Sequence, residues 1–273
     1  LGRGLYETQS LQLGAIQETA EAVGAFVKLA AQWESAAARL IATSAARDAR
    51  NQDELIGALH AASGLKVEII SGDQEAELVF RGVTTDPRLS GRRLLILDVG
   101  GGSTEFVLGD GCRHLFRKSF PLGSLRLLEK LRPQDPPSVA DLAGCRSWLQ
   151  RFFNEEISPV LEALLGGKGR LEACPTTQLV GTGGTVTILA RMEARMPNFD
   201  RKQIEQTPLM RQQILDWMIR LWSLPLAERR KIVGLPAKRA DVILTGAAIY
   251  EAVMEHFHFA QLDVSTRGLR FGA

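Results

Sequence analysis

A chain of 273 residues with 45% apolar content can bury one large core or two modest ones. Its formal charge of +2 is close to balance, so no global field marks a nucleic-acid binder, and no stretch is long and apolar enough to span a bilayer. The three cysteines, Cys112, Cys145 and Cys174, are odd in number and lack metal spacing, which points to a reducing, cytoplasmic compartment. The histidines form no ligand set, since His256 and His258 fall on different helix faces and His60 and His114 lie far away in sequence. Arginine outnumbers lysine, a bias that suits fixed bidentate phosphate contacts and equally accompanies a GC-rich genome.

In chain order, Leu13–Ala37 has a helical apolar face of Ile16, Ala20, Val23, Val27 and Ala30. Ala38–Ala42 reads as a short strand, and Asn51 as the cap of a helix reaching about Ala62. Lys66–Ile70 is a further strand, followed by a helix from Gly72 to about Val83. This β-α-β-α run belongs to an α/β domain whose beginning is expected upstream of Leu1. The Thr84–Arg93 connection, with Pro87 and Gly91, is the natural linker, dividing a first domain at residues 1–84 from a second at 85–273. The second opens with strands at Arg93–Asp98, Thr104–Gly109 and Arg113–Phe120. Helices follow at Ser124–Leu131 and Val139–Leu165, the latter capped by Ser138, and Gly166–Gly169 reads as a flexible break. After a strand at Leu179 and a helix to about Met196, a helix over Leu209–Leu224 repeats Met210, Ile214, Trp217, Met218 and Leu221 on one face. Trp217 and Trp222 point roughly 140° apart around it, which excludes a shared base-stacking platform and favours core or dimer contacts.

The chemistry-bearing segment is Leu94–Asp110, LLILDVGGGSTEFVLGD. Leu94–Leu97 is apolar on both faces, as in a strand buried mid-sheet. Asp98 ends that strand, a costly place for a carboxylate unless a cation or donor meets it. Gly100, Gly101 and Gly102 allow backbone N–H groups to approach an anion, Ser103 and Thr104 add hydroxyls, and Glu105 adds a second carboxylate. Strand continues into strand, unlike a Rossmann turn or a Walker loop, both of which enter a helix. Leu179–Ala190, LVGTGGTVTILA, repeats the theme as strand, glycine turn and helix, a second anion-binding geometry. Two such turns resemble the actin-like ATPase superfamily.

Three further blocks narrow the resemblance: VEIISGDQEAELVFRGV at Val67–Val83, IATSAARDARN at Ile41–Asn51, and GLPAKRADVILTGAAIY at Gly234–Tyr250, with STRGLRFG at the C-terminal end. Together with LDVGGGSTEF they resemble the exopolyphosphatase and guanosine pentaphosphate phosphohydrolase (Ppx/GppA) family along the whole chain. The resemblance implies an α/β fold of two actin-like, ribonuclease H-like domains flanking a cleft, the second with added helices. It also implies removal of terminal phosphate from inorganic polyphosphate or of the 5′-γ-phosphate of guanosine pentaphosphate, with Mg²⁺ or Mn²⁺ and as a homodimer. Glu75 aligns with the carboxylate that activates water, and Asp98 and Glu105 with the cation ligands. Thr43, Arg47, Gly100, Gly101, Gly102 and Ser103 align with phosphate contacts, as do Gly183, Gly184 and Thr185 of the second turn. Gln74 departs from the pattern, because many members carry an acid there, so a metal role for it is in doubt. A first phosphate loop, Asp-x-Gly-Ser/Thr-Asn-Ser, would lie upstream of Leu1.

Two other classes share parts of this pattern. An ATP-dependent kinase of the actin-like superfamily would carry both glycine turns without needing the Ser-Gly-x-x-Glu block. A catalytically silent nucleotide or polyphosphate sensor would need no retained Glu75, Asp98 and Glu105.

Overall fold

The computed structural model describes residues 1–111, 113–166 and 177–273. It divides into two compact units, Leu1–Glu75 and Ala76–Ala273. Cys112, Cys174 and the Gly166–Gly169 break beyond Gly166 lie outside the described residues. Among those described, no helix is long and apolar enough to cross a membrane.

The first unit begins with a short helix, α1 (Leu5–Thr8), and the amphipathic α2 (Leu13–Gln32). Helix α2 stops short of the expected Ala37. Glu34 takes a left-handed φ of 49°, and the N–H groups of Glu34 and Ser35 bond back to Ala31 and Ala30, a Schellman closure built without glycine. Strand β1 (Leu40–Ala42) pairs in parallel with β2 (Val67–Ile69) through α3 (Ser44–Asp48) and α4 (Gln52–Ser63). Leu5, Leu11, Ile16, Ala20, Leu55 and Leu59 form this unit's core. Asn51 stands at the N-terminus of α4, yet its side chain does not cap it. Its carbonyl oxygen accepts from Leu11 N–H at 2.8 Å and its amide donates to Leu11 O at 3.1 Å, pinning the segment between α1 and α2.

Helix α5 (Gly72–Thr84) starts in the first unit and continues into the second. The division therefore falls at Glu75/Ala76 and not in the Thr84–Arg93 connection. The reason is apolar: Ala76, Val79, Phe80 and Val83 are buried against Leu94, Ile96, Val107 and Val180 of the sheet that follows.

That sheet contains β3 (Arg93–Val99), β4 (Thr104–Asp110) and β5 (Arg113–Phe120), an antiparallel meander. Beyond it come α6 (Ser124–Leu131), α7 (Val139–Phe152), a π-helical turn at Phe153–Ile157 and α8 (Ser158–Leu165). Ser138 caps α7 as expected, in a capping box with Asp141. Strand β6 (Gln178–Thr182) then lies parallel to β3 and leads into α9 (Gly183–Glu193). The remainder is α10 (Arg201–Glu205), β7 (Leu209–Met210), α11 (Arg211–Ser223), α12 (Leu226–Arg229), α13 (Ile243–His256), β8 (Gln261–Val264) and α14 (Leu269–Gly272). The strands are ordered β5-β4-β3-β6-β8-β7.

Leu209 and Met210, expected to open a helix, instead form an edge strand on β8, and the helix starts at Arg211. The face of the sheet opposite α5 carries Leu95, Leu97, Phe106 and Leu108 into the large core, with Leu149, Phe153, Met218 and Tyr250 from the helices. Trp222 is buried there and donates to Leu244 O at 3.1 Å, while Trp217 donates to Glu193 at 2.7 Å, so both tryptophans are packing residues.

Candidate active site

The β3–β4 turn owes its shape to helix α6. Every helix opens with N–H groups that lack intrahelical partners, and Gly123, at the cap position of α6, has no side chain to satisfy them. The turn's carbonyls do so instead. Gly100 O accepts from Ser124 N–H at 2.9 Å, Gly101 O from Leu125 and Arg126 N–H at 2.9 Å each, and Gly102 O from the Arg126 guanidinium at 2.7 Å. Gly123 makes this docking possible, since a Cβ there would fall 2.3 Å from Gly101 O.

Across a trans peptide the N–H points opposite to the carbonyl. Three carbonyls held toward α6 therefore direct the N–H groups of Gly101, Gly102 and Ser103 to the other side. The turn is closed by Gly100 N–H donating to Ser103 O at 2.9 Å, and the bond from Ser103 N–H to Gly100 O is not made. Among the described residues no bond occupies these three N–H groups. The result is a row of fixed donors of the kind that holds a phosphoryl oxygen.

Beside the turn runs a line of polar side chains across four strands. Asp98 is the register partner of Glu105 on β4 and of Thr182 on β6, and Glu105 is the partner of Ser119 on β5. All four share the sheet face of Ile96 and Val107 by strand alternation. Glu105 is buried and accepts from the Ser119 hydroxyl at 2.7 Å, whereas Asp98 is half-buried.

The second glycine turn meets this line directly. Gly183 has φ of 83°, and a Cβ on it would lie 2.1 Å from Asp98 Oδ1, so backbone conformation and space both demand glycine. Thr185 is buried and spends its hydroxyl proton on Val99 O at 2.8 Å, which ties α9 to the end of β3 and leaves its backbone N–H as the available donor. Gly184 has no atom near its Cβ position and lies open in the first turn of α9.

A cation fits this arrangement. Asp98 and Glu105 supply adjacent carboxylates, and Gly183 together with Gly268 leaves space around the Asp98 oxygens that a Cβ would fill. Among the described residues no group of three or more His, Cys, Asp and Glu side chains gathers to hold a metal. Mg²⁺ takes one or two carboxylates and completes its shell with water and substrate phosphate.

In the first unit, Glu75, Arg47 and Thr43 come together. Arg47 Nη1 donates to Glu75 Oε2 at 3.0 Å and to Ile70 O at 2.7 Å, and the Thr43 hydroxyl bonds the same carboxylate. Burial pushes the Glu75 carboxyl above its ordinary value, Arg47 and Thr43 pull it back, and Asp48 adds to the rise. A base needs such an elevated pKa to accept a proton near neutrality. Gln74 has a definite use: its side chain accepts from Ser71 N–H at 2.8 Å while Ser71 Oγ accepts from Gln74 N–H at 3.1 Å, a reciprocal cap on α5.

Sequence reading did not single out Gly123, Arg126 or Thr182. Gly123 had a local signal, a glycine directly before a helix start with no Ser, Thr, Asp or Asn to cap it. Thr182 had none, because its pairing with Asp98 joins segments far apart in the chain.

A mixed α/β sheet with two glycine turns around an acidic strand end defines a phosphate-handling hydrolase of actin-like fold. Residues 1–273 match the Ppx/GppA phosphatase family, to which the chain belongs. It is 31% identical over 283 aligned residues to Exopolyphosphatase 2 of Mycobacterium tuberculosis, covering all of this chain and 84% of the relative. It is 27% identical to the guanosine-5′-triphosphate,3′-diphosphate pyrophosphatase of Vibrio cholerae, covering all of this chain and 51% of that protein. Among solved structures, the Ppx/GppA enzyme of Aquifex aeolicus superposes with a TM-score of 0.78 at 30% identity, covering 100% of this chain and 86% of the other. An exopolyphosphatase from Cytophaga hutchinsonii gives 0.84 at 28%, covering 100% and 84%.

Proposed function

We propose that this chain hydrolyses the terminal phosphoanhydride of inorganic polyphosphate, with guanosine pentaphosphate as a second substrate. The observation that carries the reading is the β3–β4 turn, whose Gly101, Gly102 and Ser103 N–H groups point opposite to the carbonyls that α6 holds, at the end of the strand that carries Asp98. The order of preference between substrates follows the relatives: the exopolyphosphatase is more similar and matched over more of its length than the guanosine pentaphosphate enzyme.

Anhydride hydrolysis needs a directed water, neutralised equatorial oxygens and a stabilised leaving group. The turn N–H groups bind the phosphoryl oxygens as negative charge grows, without reorganising. Asp98 and Glu105 would hold Mg²⁺, which would supply neutralisation of phosphate charge when bound. Glu75 accepts the proton of the attacking water, and Arg47 and Thr43 keep its carboxylate oriented. The N–H groups at the start of α9, with Gly184 open to ligand, take a neighbouring phosphate.

The test is phosphate release from polyphosphate, guanosine pentaphosphate and ATP side by side, with Mg²⁺ and with chelator. Release from polyphosphate that chelator abolishes supports the proposal. Phosphate transfer from ATP to an acceptor would assign the chain to the kinases. Tight binding of all three without release would make it a sensor.

A further inference from the structure

Thr182 is completely buried, and its Oγ1 has no hydrogen-bond partner. A buried hydroxyl left unsatisfied destabilises a fold, and valine has the same shape and the higher strand propensity. Threonine at this position therefore opposes stability, which is the signature of a residue kept for what it does.

Its surroundings say what that is. Thr182 is the β6 register partner of Asp98, on the same face of the sheet. On the other side of Asp98, Glu105 already receives a hydroxyl from its own neighbour, Ser119, at 2.7 Å. Thr182 is placed to do for Asp98 what Ser119 does for Glu105. Gly268 lies over both groups: a Cβ there would sit 3.0 Å from Thr182 Oγ1 and 3.7 Å from Asp98 Oδ2. The two oxygens thus border one small space that glycine keeps clear. The backbone of Thr182 is held as well, since the buried Tyr250 hydroxyl donates to its carbonyl at 3.4 Å.

We propose that Thr182 is a positioning residue, whose hydroxyl donates to Asp98 when that carboxylate turns to hold a divalent cation. The inference rests on Asp98 being a cation ligand. A hydrogen bond of this kind fixes the carboxylate's orientation toward the ion, and losing such an outer partner typically lowers metal affinity about 10- to 100-fold.

The experiment compares wild type with Thr182→Val, Thr182→Ser and Asp98→Asn in the 273-residue chain. Mn²⁺ alone is titrated without substrate, followed by the paramagnetic resonance of free Mn²⁺, and each variant is melted in parallel. Thr182→Val is expected to unfold at the wild-type temperature or above while binding Mn²⁺ about tenfold more weakly. Thr182→Ser, which keeps the donor, is expected to bind nearly as wild type. The half-maximal Mg²⁺ concentration for phosphate release should rise in Thr182→Val by the factor seen for Mn²⁺. Wild-type Mn²⁺ affinity in Thr182→Val, with binding lost in Asp98→Asn, overturns the role of Thr182 alone. Unchanged affinity in Asp98→Asn overturns the cation assignment and this inference with it. Equal weakening in the Val and Ser variants shows that shape and not the hydroxyl matters, and also overturns it.

Discussion

Gly183→Ala offers a sharp test of the proposed site, because its neighbour Gly184 supplies an internal control. The methyl group would arrive 2.1 Å from Asp98 Oδ1, where ordinary contact begins at 3.4 Å, so one of the two must yield by about 1.3 Å (3.4 − 2.1). The backbone at φ 83° adds a left-handed penalty of about 1–2 kcal/mol for any residue with a Cβ. For a unit of this size that lowers the melting temperature by roughly 2–8 °C. A displacement near 1 Å at a reacting centre costs on the order of 10²-fold in rate, so polyphosphate hydrolysis should fall by about that factor and require more Mg²⁺. Gly184→Ala meets no protein atom within 4 Å and lies in the first turn of a helix, so it should gain up to about 1 kcal/mol and keep the wild-type Mg²⁺ dependence, with any loss confined to the apparent affinity for substrate. The assay is phosphate release across a Mg²⁺ series, with thermal melts of both variants. Wild-type turnover and Mg²⁺ dependence in Gly183→Ala would refute the placement of Asp98 against the second turn as a functional contact.

Other expectations follow from the first unit. Glu75→Gln should lower hydrolysis by about 10²–10⁴-fold while polyphosphate still binds, as measured by turnover and by binding of the intact polymer. Arg47→Ala removes a charge and hydrogen bond that lower the Glu75 pKa and leaves the burial that raises it. The acid limb of kcat/KM should therefore move to higher pH, and a limb that stays or moves down would show that Glu75 is not the titrating base. At the start of α5, Ser71→Ala should cost about 1 kcal/mol in urea unfolding. Gln74→Glu should be no less stable than Gln74→Ala, since a glutamate can keep the bond to Ser71 N–H and suits a helix N-terminus.

Much of the second unit was legible because its signals are local. Strands β3 to β5 are marked by apolar runs and a glycine turn, and α6 begins at Ser124 where expected. Short elements were not legible: α3 has five residues, too few for a periodic face, and Leu209–Met210 became strand only because β8 offers an edge. The domain division was displaced since a single helix, α5, presents polar residues at its start and a sheet-facing apolar stripe afterwards. Within the site, the carboxylates and glycines announced themselves by composition. What they touch did not, because sheet register sets Thr182 beside Asp98 across more than eighty residues of chain (182 − 98). Asn51 shows the same limit at small scale: its type and place fit a cap, and a remote segment claimed its side chain.

The anchoring of the β3–β4 turn by α6 also bears on how this scaffold can acquire new substrates. Because the turn's carbonyls serve as the missing cap of α6, a change of turn shape would fray that helix, and the entropic cost of ordering the donors is met when the protein folds, before any ligand arrives. Under the function proposed above, such a receptor would grip the terminal phosphoryl group alike whether a polymer or a nucleoside lies behind it. Divergence of substrate choice would then arise in side chains that meet the rest of the molecule, while the phosphoryl grip itself stayed constant.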